Sequence, residues 1–459
     1  MSCLVNTFHR LKLTDMDTAR ELIAQMINGQ LTSVELVEHC IRVIDQTDDS
    51  IKAWAYVDRE GALEQAAAMD LRRKQGKSLG ALHGIPVGLK DIVDTRAMPT
   101  QRGTVIYANR QAAANAAIVD KLIENGAVIF GKTVTTELAW MNESQTRNPH
   151  NLAHTPGGSS SGSAAAVAAG QVPLAIGTQT GGSVIRPASF NGVYGCKPSR
   201  GIIPRHGVLQ TSPTLDQIGV FARDAGDMAL LIDAIKGYDA NDTMSYPGPR
   251  PAVLSGYDAE VAMEPHLAWI DMPYNERYSS TLNEAMDEVL DVLVESKATV
   301  DRIVAPQSFA ALIECHKVIY DYEILRCLSD EWNNHRDQLS ETAREGLQRA
   351  ETRTDNEYAE ALDVLQSANK WFETFFHDYD AVITPSATGI APKLGNGTGD
   401  PIACIVWTLC GLPCLSLPLL SGEHDLPMGL QVVGAYDRDE RLFRTTRWLV
   451  TQLTGGTSS

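Results

Sequence analysis

Two glycine-rich turns in the sequence carry serines at positions where hydroxyl chemistry is expected. The first is the run TPGGSSSGS, which contains Ser159 and passes without a break into an alanine-rich stretch that ends at Gly170. Such a turn gathers hydroxyls and backbone N–H groups at the start of a helix, where developing negative charge is stabilised. The alternative is a flexible Ser/Gly linker, but a linker would not lead directly into a helix-forming run.

The second turn is GTQTGGS, residues 177–183, which follows the strand-like run PLAI. Its adjacent glycines allow backbone N–H groups to converge on one point. A tetrahedral oxyanion needs such convergent donors, and loss of one donor in a hydrolase typically costs about 3–4 kcal/mol of activation free energy. An ordinary turn at a strand end would not need Ser183 directly after the glycine pair.

A lysine, Lys90, ends the apolar run GIPVGLK, which is typical of a buried strand. Burial disfavours the ammonium form of lysine, so a buried Lys90 could be neutral and accept a proton. Taken alone, however, this segment favours a salt bridge from Lys90 to Asp91 or Asp94 at the strand end. The interpretation of Lys90 as a base therefore depends on the two serine turns.

Together these segments resemble the signature of the amidase signature family, whose members hydrolyse amides and related C–N bonds. The resemblance rests on four runs: GIPVGLKD (84–91), GGSSSGSAAAVAAG (157–170), GTQTGGSVIRP (177–187) and GCKPSRG (195–201). It extends to the late runs GLPCLSLP and GLQVVG and so covers most of the chain. A Gly/Ser pattern of this length and order is highly specific.

The resemblance implies a triad of Ser183 as nucleophile, Ser159 as bridging serine after a cis peptide bond, and Lys90 as terminal base. In this relay neutral Lys90 takes a proton from Ser159, Ser159 takes one from Ser183, and Ser183 attacks the carbonyl carbon. An acyl-enzyme follows, and the reaction needs neither metal nor cofactor. The oxyanion hole would consist of four successive backbone N–H groups, those of Thr180, Gly181, Gly182 and Ser183.

Four further residues are candidate substrate contacts. Arg186 is placed as in free-standing bacterial amidases of the malonamidase type, where its planar guanidinium can bind a carboxylate. An ion pair between Arg186 and a buried aspartate such as Asp216 is an equally good interpretation. The other candidates are Met141, Gln217 and Trp407. An apolar, aromatic lining would favour aryl amides or aryl carbamates, so urethane cleavage is one hypothesis.

Two short runs match the motifs of other enzyme classes, but their surroundings do not fit those classes. GAVIFGKT (126–133) fits the phosphate-loop pattern GxxxxGK[ST], but its variable positions are apolar and indicate a strand. GSSSG (158–162) fits the GxSxG pattern of α/β-hydrolases, which would make Ser160 the nucleophile. That pattern requires a preceding apolar strand, whereas the residues before it, NLAHTPGG, form a polar loop containing proline.

The elements that must position these residues follow from hydrophobic patterning. Residues 12–75 predict an N-terminal helical layer, in which Thr32 and Glu35 form a capping box. From 81 to 235, the signature core, short β-branched runs alternate with helical stretches. This alternation predicts an α/β fold with a central, mostly parallel or mixed twisted sheet covered by helices on both faces.

The second half of the chain predicts a helical insertion at 306–376, followed by strands and a helix at 377–459 that complete the same sheet. No Ser/Gly/Pro-rich linker and no internal repeat separates these parts. The prediction is therefore one amidase domain over 1–459. Residues 389–400, GIAPKLGNGTGD, form the most loop-like stretch, and its mobility is left open.

Composition limits the partners. Acidic residues outnumber basic ones 57 to 39, the formal charge is -18, and no basic stripe is present, so nucleic acid is not an expected partner. No apolar run predicts a membrane span and no secretory signal is recognisable, which favours a cytoplasmic protein. The eight cysteines form no CxxC pair and are interpreted as reduced, buried thiols.

Two functions remain open. The first is a free-standing hydrolase that acts on a small-molecule amide or carbamate, as a monomer or a homodimer. The second is a glutamine amidotransferase A-type subunit that delivers ammonia to a partner protein, since such subunits share the whole signature. The position of Arg186 favours the first function.

Overall fold

A mixed sheet of eleven strands forms the frame of the computed structural model, which describes residues 17–296 and 298–455. The prediction of an α/β sheet flanked by helices is confirmed. In chain order the strands are β1 (Trp54–Val57), β2 (Pro86–Lys90), β3 (Val128–Thr133), β4 (Leu174–Gln179), β5 (Tyr194–Lys197), β6 (Gln217–Ala222), β7 (His266–Asp271), β8 (Thr299–Val304), β9 (Ala381–Pro385), β10 (Cys414–Ser421) and β11 (Pro427–Val433).

Fifteen α-helices within the described ranges surround this sheet. In chain order they are α1 (Ala19–Ile27), α2 (Ser33–Ile51), α3 (Arg59–Lys74), α4 (Ala117–Glu124), α5 (Ser161–Ala168), α6 (Ile185–Asn191), α7 (Ala225–Ile235), α8 (Val253–Asp258), α9 (Ser280–Glu295), α10 (Phe309–Cys327), α11 (Ser329–Asn334), α12 (Glu341–Ala350), α13 (Asp355–Phe375), α14 (Ile402–Leu409) and α15 (Asp439–Leu453). None of the helices in the described part of the chain has the length and apolar character needed to cross a membrane.

The strands lie in the order β1-β3-β2-β4-β6-β5-β10-β11-β9-β7-β8. The pairs β2–β3, β2–β4, β7–β8 and β7–β9 are parallel. The other neighbouring pairs of the described sheet are antiparallel. The late strands β9, β10 and β11 join the same sheet as the early ones, as predicted.

The parallel pair β2 and β4 decides where the catalytic candidates meet. Val87 is in register with Leu174 and Leu89 with Ile176. Both strands are buried along their whole length, as their continuous apolar runs predict. Because parallel strands end at the same edge of a sheet, Lys90 at the end of β2 lies beside the turn that follows β4.

Helix α5 lies very close to the sheet because its residues are small. All eight of its residues are buried. A Cβ atom at Gly162 would lie 2.2 Å from the carbonyl oxygen of Ala53 and 2.4 Å from the amide nitrogen of Val134. The Ser163 hydroxyl donates to the carbonyl of Ile176 in β4 at 2.8 Å. The alanine-rich run therefore holds the Ser159 turn tightly against β4.

The N-terminal layer differs in one respect from the all-helical prediction for 12–75. The capping box is present, with Glu35 N–H donating to the Thr32 hydroxyl and Thr32 N–H donating to the Glu35 carboxylate. Trp54–Val57, however, is the edge strand β1, which pairs antiparallel with β3. Its aromatic and β-branched residues suit a strand, and the sheet edge supplies the partner. Residues 12–16 of the predicted layer lie outside the described residues.

A second difference lies between the signature core and the helical insertion. Strands β7 and β8 with the intervening helix α9 extend the sheet at its far end, and the sequence patterning assigned no elements there. The predicted insertion at 306–376 is helical, formed by α10 to α13. The phosphate-loop look-alike at 126–133 contributes the buried strand β3, as predicted.

The cysteines within the described ranges are all free thiols. Six are buried and Cys327 is partly exposed. Cys3 lies outside the described residues.

Candidate active site

Lys90 is fully buried, and its side-chain nitrogen contacts two hydroxyls. The Nζ atom lies 2.7 Å from Oγ of Ser159 and 2.8 Å from Oγ1 of Thr178. The salt-bridge alternative for Lys90 is wrong: the Asp91 carboxylate pairs with Lys132, and the Asp94 carboxylate pairs with Arg110. Lys90 is therefore free to interact with the serine turn.

Burial lowers the pKa of Lys90 to about 7, and the negative charge of nearby Asp216 acts in the opposite direction. Near neutral pH a large share of Lys90 is thus the free amine. A free amine has a lone pair that accepts a proton, so the distance to Ser159 is suited to proton transfer.

Ser159 is held by contacts to the backbone on both sides of it. The peptide bond between Gly158 and Ser159 is cis. The Ser159 carbonyl accepts the Thr136 N–H at 3.2 Å, and the Gly158 carbonyl accepts a hydrogen bond from Arg186 Nη2 at 2.7 Å. A Cβ atom at Gly158 would lie 2.8 Å from Cγ2 of Thr398, so a larger residue here would require the Thr398 side chain to move.

The next residue, Ser160, connects this turn to β4. Its hydroxyl donates to the Thr178 carbonyl at 3.1 Å and accepts the Thr178 N–H at 3.2 Å. The Ser160 side chain is completely buried. A buried hydroxyl engaged twice with backbone is not an accessible nucleophile, which excludes the α/β-hydrolase interpretation of GSSSG.

Ser183 lies in the turn between β4 and α6 and is partly exposed. Within residues 17–296 and 298–455 its hydroxyl has no hydrogen-bond partner, and the N–H groups of Gly181, Gly182 and Ser183 have no acceptor. The turn is closed from behind by Gln179, whose Oε1 accepts the N–H groups of Val184 and Ile185 at 2.8 and 3.0 Å. An accessible hydroxyl beside three free backbone donors is the arrangement that nucleophilic attack on a carbonyl requires.

Thr180, at the start of this turn, is held by a buried carboxylate. The Asp216 carboxylate accepts the Thr180 hydroxyl at 2.5 Å and the N–H groups of Thr211 and Ser212 at 2.6 and 2.9 Å. The ion pair between Asp216 and Arg186 that was considered from the sequence is therefore wrong.

Arg186 is buried beneath the Ser159 turn and donates from Nη2 to the Gly158 carbonyl and to the Thr398 hydroxyl, the latter at 3.2 Å. Its Nε and Nη1 atoms have no partner among the described residues. Burial lowers the pKa of Arg186 to about 10, so the guanidinium remains charged at neutral pH.

The other three candidate substrate contacts lie in different surroundings. Met141 is 51% exposed. Gln217 is buried and fully engaged, since Oε1 accepts from Lys197 at 2.8 Å and Nε2 donates to the Thr408 carbonyl at 3.2 Å. Trp407 lies in the hydrophobic core, edge-to-face on Phe372. Gln217 and Trp407 are therefore buried inside the protein, Gln217 by hydrogen bonds and Trp407 by apolar packing, and neither presents an exposed side chain to a substrate.

The loop at 389–400 forms part of the wall of this site. Thr155 N–H donates to the Pro392 carbonyl at 2.9 Å, and Leu394 N–H donates to the Ala153 carbonyl at 3.0 Å. Thr398, near the end of the loop, contacts both Gly158 and Arg186. The loop-like sequence is thus anchored by backbone hydrogen bonds beside the serine turn.

Two residues near the site were missed by sequence reasoning. Thr178 contacts Lys90 and lies inside the same GTQTGGS run, so its position in the motif was an available signal. His316, from helix α10, contacts the Thr180 carbonyl with its Nε2 atom at 2.8 Å. Nothing in the local sequence around His316 connects it with a turn 136 residues earlier.

Comparison with known proteins shows the family of this chain. The family model described as Amidase matches residues 35–443. The A-type subunit of glutamyl-tRNA(Gln) amidotransferase from Streptomyces coelicolor is 32% identical over 466 residues, which cover 93% of this chain and 94% of that protein. Its counterpart of the same name from Leptospira interrogans serovar Lai is 33% identical over 459 residues, covering 92% and 94%.

Solved structures of similar fold include a chain of a vestigial protein complex that bears on the evolutionary origins of an s-triazine catabolic enzyme. It has a TM-score of 0.89 and 25% identity, and the match covers 96% of this chain and 99% of that chain. The native peptide amidase from Stenotrophomonas maltophilia has a TM-score of 0.84 and 26% identity, with 96% and 97% covered.

Proposed function

Because the chain belongs to the amidase family, we propose that it hydrolyses a C–N acyl bond through an acyl-enzyme on Ser183. The observation that supports this most directly is the 2.7 Å contact between the buried Lys90 amine and the Ser159 hydroxyl. This contact supplies a base for a serine relay that contains no histidine. The substrate class we propose is non-peptide amides and related carbamates.

Acylation begins with Lys90 in its free-amine form. Lys90 takes the proton of Ser159 as Ser159 takes that of Ser183, and the Ser183 oxygen forms a bond to the substrate carbonyl carbon. The pKa of Lys90, about 7, places the free amine within reach of neutral pH. The free N–H groups of Gly181, Gly182 and Ser183 stabilise the charge that develops on the carbonyl oxygen.

Collapse of the tetrahedral intermediate needs a proton on the leaving nitrogen, because an amine anion is a very poor leaving group. The relay runs in reverse: the Lys90 ammonium returns its proton through Ser159 to that nitrogen as the C–N bond breaks. Water then attacks the acyl-enzyme with the same base, which releases the acid and regenerates the Ser183 hydroxyl.

The buried guanidinium of Arg186 favours an acyl group with an oxygen-rich end. Its Nε and Nη1 atoms lack acceptors in the described structure, and its Nη2 atom donates a hydrogen bond directly to the Gly158 carbonyl in the Ser159 turn. A planar guanidinium with free donors is suited to a carboxylate or carbonyl oxygen. We therefore propose that Arg186 contributes to substrate binding in addition to its contact with Gly158.

The amidotransferase function is the second candidate, favoured by one specific observation. The relatives from Streptomyces and Leptospira are A-type subunits of an amidotransferase, at 32% and 33% identity over more than nine-tenths of this chain. Such a protein would hydrolyse glutamine at the same triad and pass ammonia to a partner protein. Glutaminase activity that appears only on addition of a partner would establish it in place of a free-standing hydrolase.

The experiment that tests the proposal combines labelling with turnover. Purified wild-type protein is treated with a fluorophosphonate probe and assayed on a nitroanilide, a simple primary amide, biuret, an aryl carbamate and glutamine. We expect labelling and turnover of at least one substrate, both lost in Ser183→Ala. Retention of labelling by Ser183→Ala would exclude Ser183 as nucleophile, and a wild type that neither labels nor turns over any substrate would exclude the hydrolase.

A further inference from the structure

Helix α10 presents three polar or aromatic side chains to the catalytic core from one face. His316, Tyr320 and Glu323 are spaced i, i+4 and i+7, which places them on the same side of the helix. Glu323 accepts the Thr214 N–H at 3.0 Å and also the Ser212 hydroxyl. The helix thus holds the loop that presents the Asp216 carboxylate to Thr180.

His316 makes the direct contact from this face to the turn that carries Ser183. Its Nε2 atom lies 2.8 Å from the Thr180 carbonyl oxygen, and the residue is only 7% exposed. Because a carbonyl oxygen only accepts, Nε2 must carry the hydrogen. The imidazole is stacked on Tyr320 at a centroid distance of 6.3 Å. Its Cε1 lies 3.8 Å from the position that a Cβ atom would take if Gly181 carried one.

The peptide group that His316 contacts is one of the oxyanion donors. The Thr180 carbonyl and the Gly181 N–H belong to the same planar unit and point in opposite directions. A hydrogen bond that fixes the carbonyl on one side therefore fixes the direction of the N–H on the other. Rotation of this unit would otherwise be easy, because glycine follows it.

The adjacent peptide group is held in the same way from another helix. The Thr408 hydroxyl, on α14, donates to the Gly181 carbonyl at 2.6 Å, and this fixes the Gly182 N–H. The Gln179 amide donates to the Thr408 oxygen at 2.9 Å. The single Thr408 hydrogen is therefore shared between the Gly181 carbonyl at 2.6 Å and the Cys404 carbonyl at 2.9 Å, and the Gly181 contact is the shorter. Two successive oxyanion donors are thus oriented by side-chain donors on the far side of their peptide planes.

We propose that His316 is a positioning residue for the oxyanion hole, which aims the Gly181 N–H by donating to the Thr180 carbonyl. The inference rests on the proposed function, since it assigns His316 a part in stabilising that reaction's transition state. The helical insertion thereby completes the catalytic site, although the triad comes entirely from the signature core.

The test uses three variants of the full-length protein. His316→Phe keeps an aromatic ring against Tyr320 but removes the donor. His316→Gln places an amide N–H at about the reach of Nε2, whereas His316→Asn has the same chemistry on a side chain too short to reach the carbonyl. His150→Phe is the matched control, because His150 Nε2 also contacts a backbone carbonyl, that of Asn191 at 2.9 Å, away from the oxyanion turn.

The readouts are kcat, KM and the inhibition constant of a boronic acid or trifluoromethyl ketone that mimics the oxyanion. Direct loss of one oxyanion donor lowers kcat about 100- to 1000-fold, so misorientation of one donor should lower it roughly 10- to 100-fold. We expect this loss in His316→Phe and His316→Asn, a parallel loss of inhibitor affinity, and KM within about twofold of wild type. His316→Gln should recover most of kcat, and His150→Phe should match wild type.

Three results would overturn the inference. Wild-type kcat and inhibitor affinity in folded His316→Phe would show that the contact does not orient the donor. A rise in KM at constant kcat would make His316 a substrate contact instead. Equal kcat in the Gln and Asn variants would show that a hydrogen bond to the Thr180 carbonyl does not affect kcat. If the Phe variant does not fold, this comparison alone tests the positioning role of His316.

Failure of the proposed function gives a different pattern. A wild type without labelling or turnover overturns the hydrolase and this inference together. An active wild type with an unaffected His316→Phe overturns the positioning role alone.

Discussion

The amine of Lys90 lies 2.7 Å from the hydroxyl of Ser159 in a fully buried environment, although the two residues are 69 positions apart in the chain. The contact exists because β2 and β4 run parallel and the Ser159 turn packs against the end of β4. It places an amine with a pKa of about 7 against the hydroxyls of Ser159 and Thr178.

The first prediction concerns the pH dependence of activity. Lys90 must be neutral to accept a proton, so kcat/KM should rise with pH through about 7 and level off above it. Asp216→Asn removes a negative charge that holds the Lys90 proton, so the pKa of Lys90 should fall and the rising limb should move to lower pH. Initial rates on a non-ionising amide from acidic to alkaline pH measure both curves; an unshifted limb in folded Asp216→Asn would contradict the electrostatic link.

The second prediction concerns stability. Lys90 has a pKa of about 7 in the folded protein and a pKa close to the ordinary value of 10.5 when unfolded. Between these values the unfolded chain binds a proton that the folded chain does not, so the unfolding free energy that Lys90 contributes rises with pH in this window and is lowest below 7.

Lys90→Met lacks this dependence. We expect the variant to be inactive. We also expect the unfolding free energy of the variant minus that of the wild type to decrease steadily from about pH 7 to about pH 10. Denaturant unfolding at several pH values across this window checks the trend, and a constant difference would show that Lys90 keeps an ordinary pKa.

The third prediction separates the two serines. Ser183→Ala should abolish fluorophosphonate labelling, because it removes the nucleophile itself. Ser159→Ala keeps that nucleophile but breaks the path to Lys90, so labelling should slow markedly without disappearing, and amide turnover should fall about 1000-fold or more. Ser161→Ala, which lies outside the relay at the start of α5, is the control. Equal residual labelling of the Ser159 and Ser183 variants would contradict the relay order.

The fourth prediction tests the close approach of helix α5. Gly162→Ala would bring Cβ to 2.2 Å from a backbone oxygen and 2.4 Å from a backbone nitrogen, neither of which can move alone. We expect a loss of several kcal/mol of stability, at the upper end of single substitutions. Gly248→Ala is the matched control, since no atom of the described residues lies within 4 Å of the position that its Cβ would take. Thermal unfolding of both variants measures the difference, and similar midpoints would show that the sheet can relax.

The fifth prediction concerns Arg186. Arg186→Met removes the donor to the Gly158 carbonyl and the Nε and Nη1 donors, which have no acceptor in the described part of the chain. If these serve a substrate oxygen, KM should rise about tenfold or more for amides that carry a carboxylate and change little for an unsubstituted aryl amide. A uniform fall in kcat with unchanged KM for both would assign Arg186 to holding the Ser159 turn alone.

Hydrophobic patterning alone predicted the α/β class, the helical insertion and the return of the late strands to the sheet. Continuous apolar runs such as that before Lys90 and the small-residue run after Ser159 are local signals, and they determine strand burial and close helix packing. The short strand β1 was not predicted, because four residues within a helical region carry little periodicity. The sheet edge that stabilises them is remote in sequence.

The Gly/Ser turns and their order indicated the segments of the candidate site, because glycine and serine in such runs serve few purposes other than close backbone approach and hydroxyl chemistry. The partners of each charged side chain were decided only by tertiary structure. Lys90 alone favoured a salt bridge to Asp91 or Asp94, and Arg186 was equally compatible with an ion pair to Asp216, until the packing of β2, β4 and α6 set the distances. A side chain's partner depends on which distant segment folds against it, and no local pattern encodes that distance.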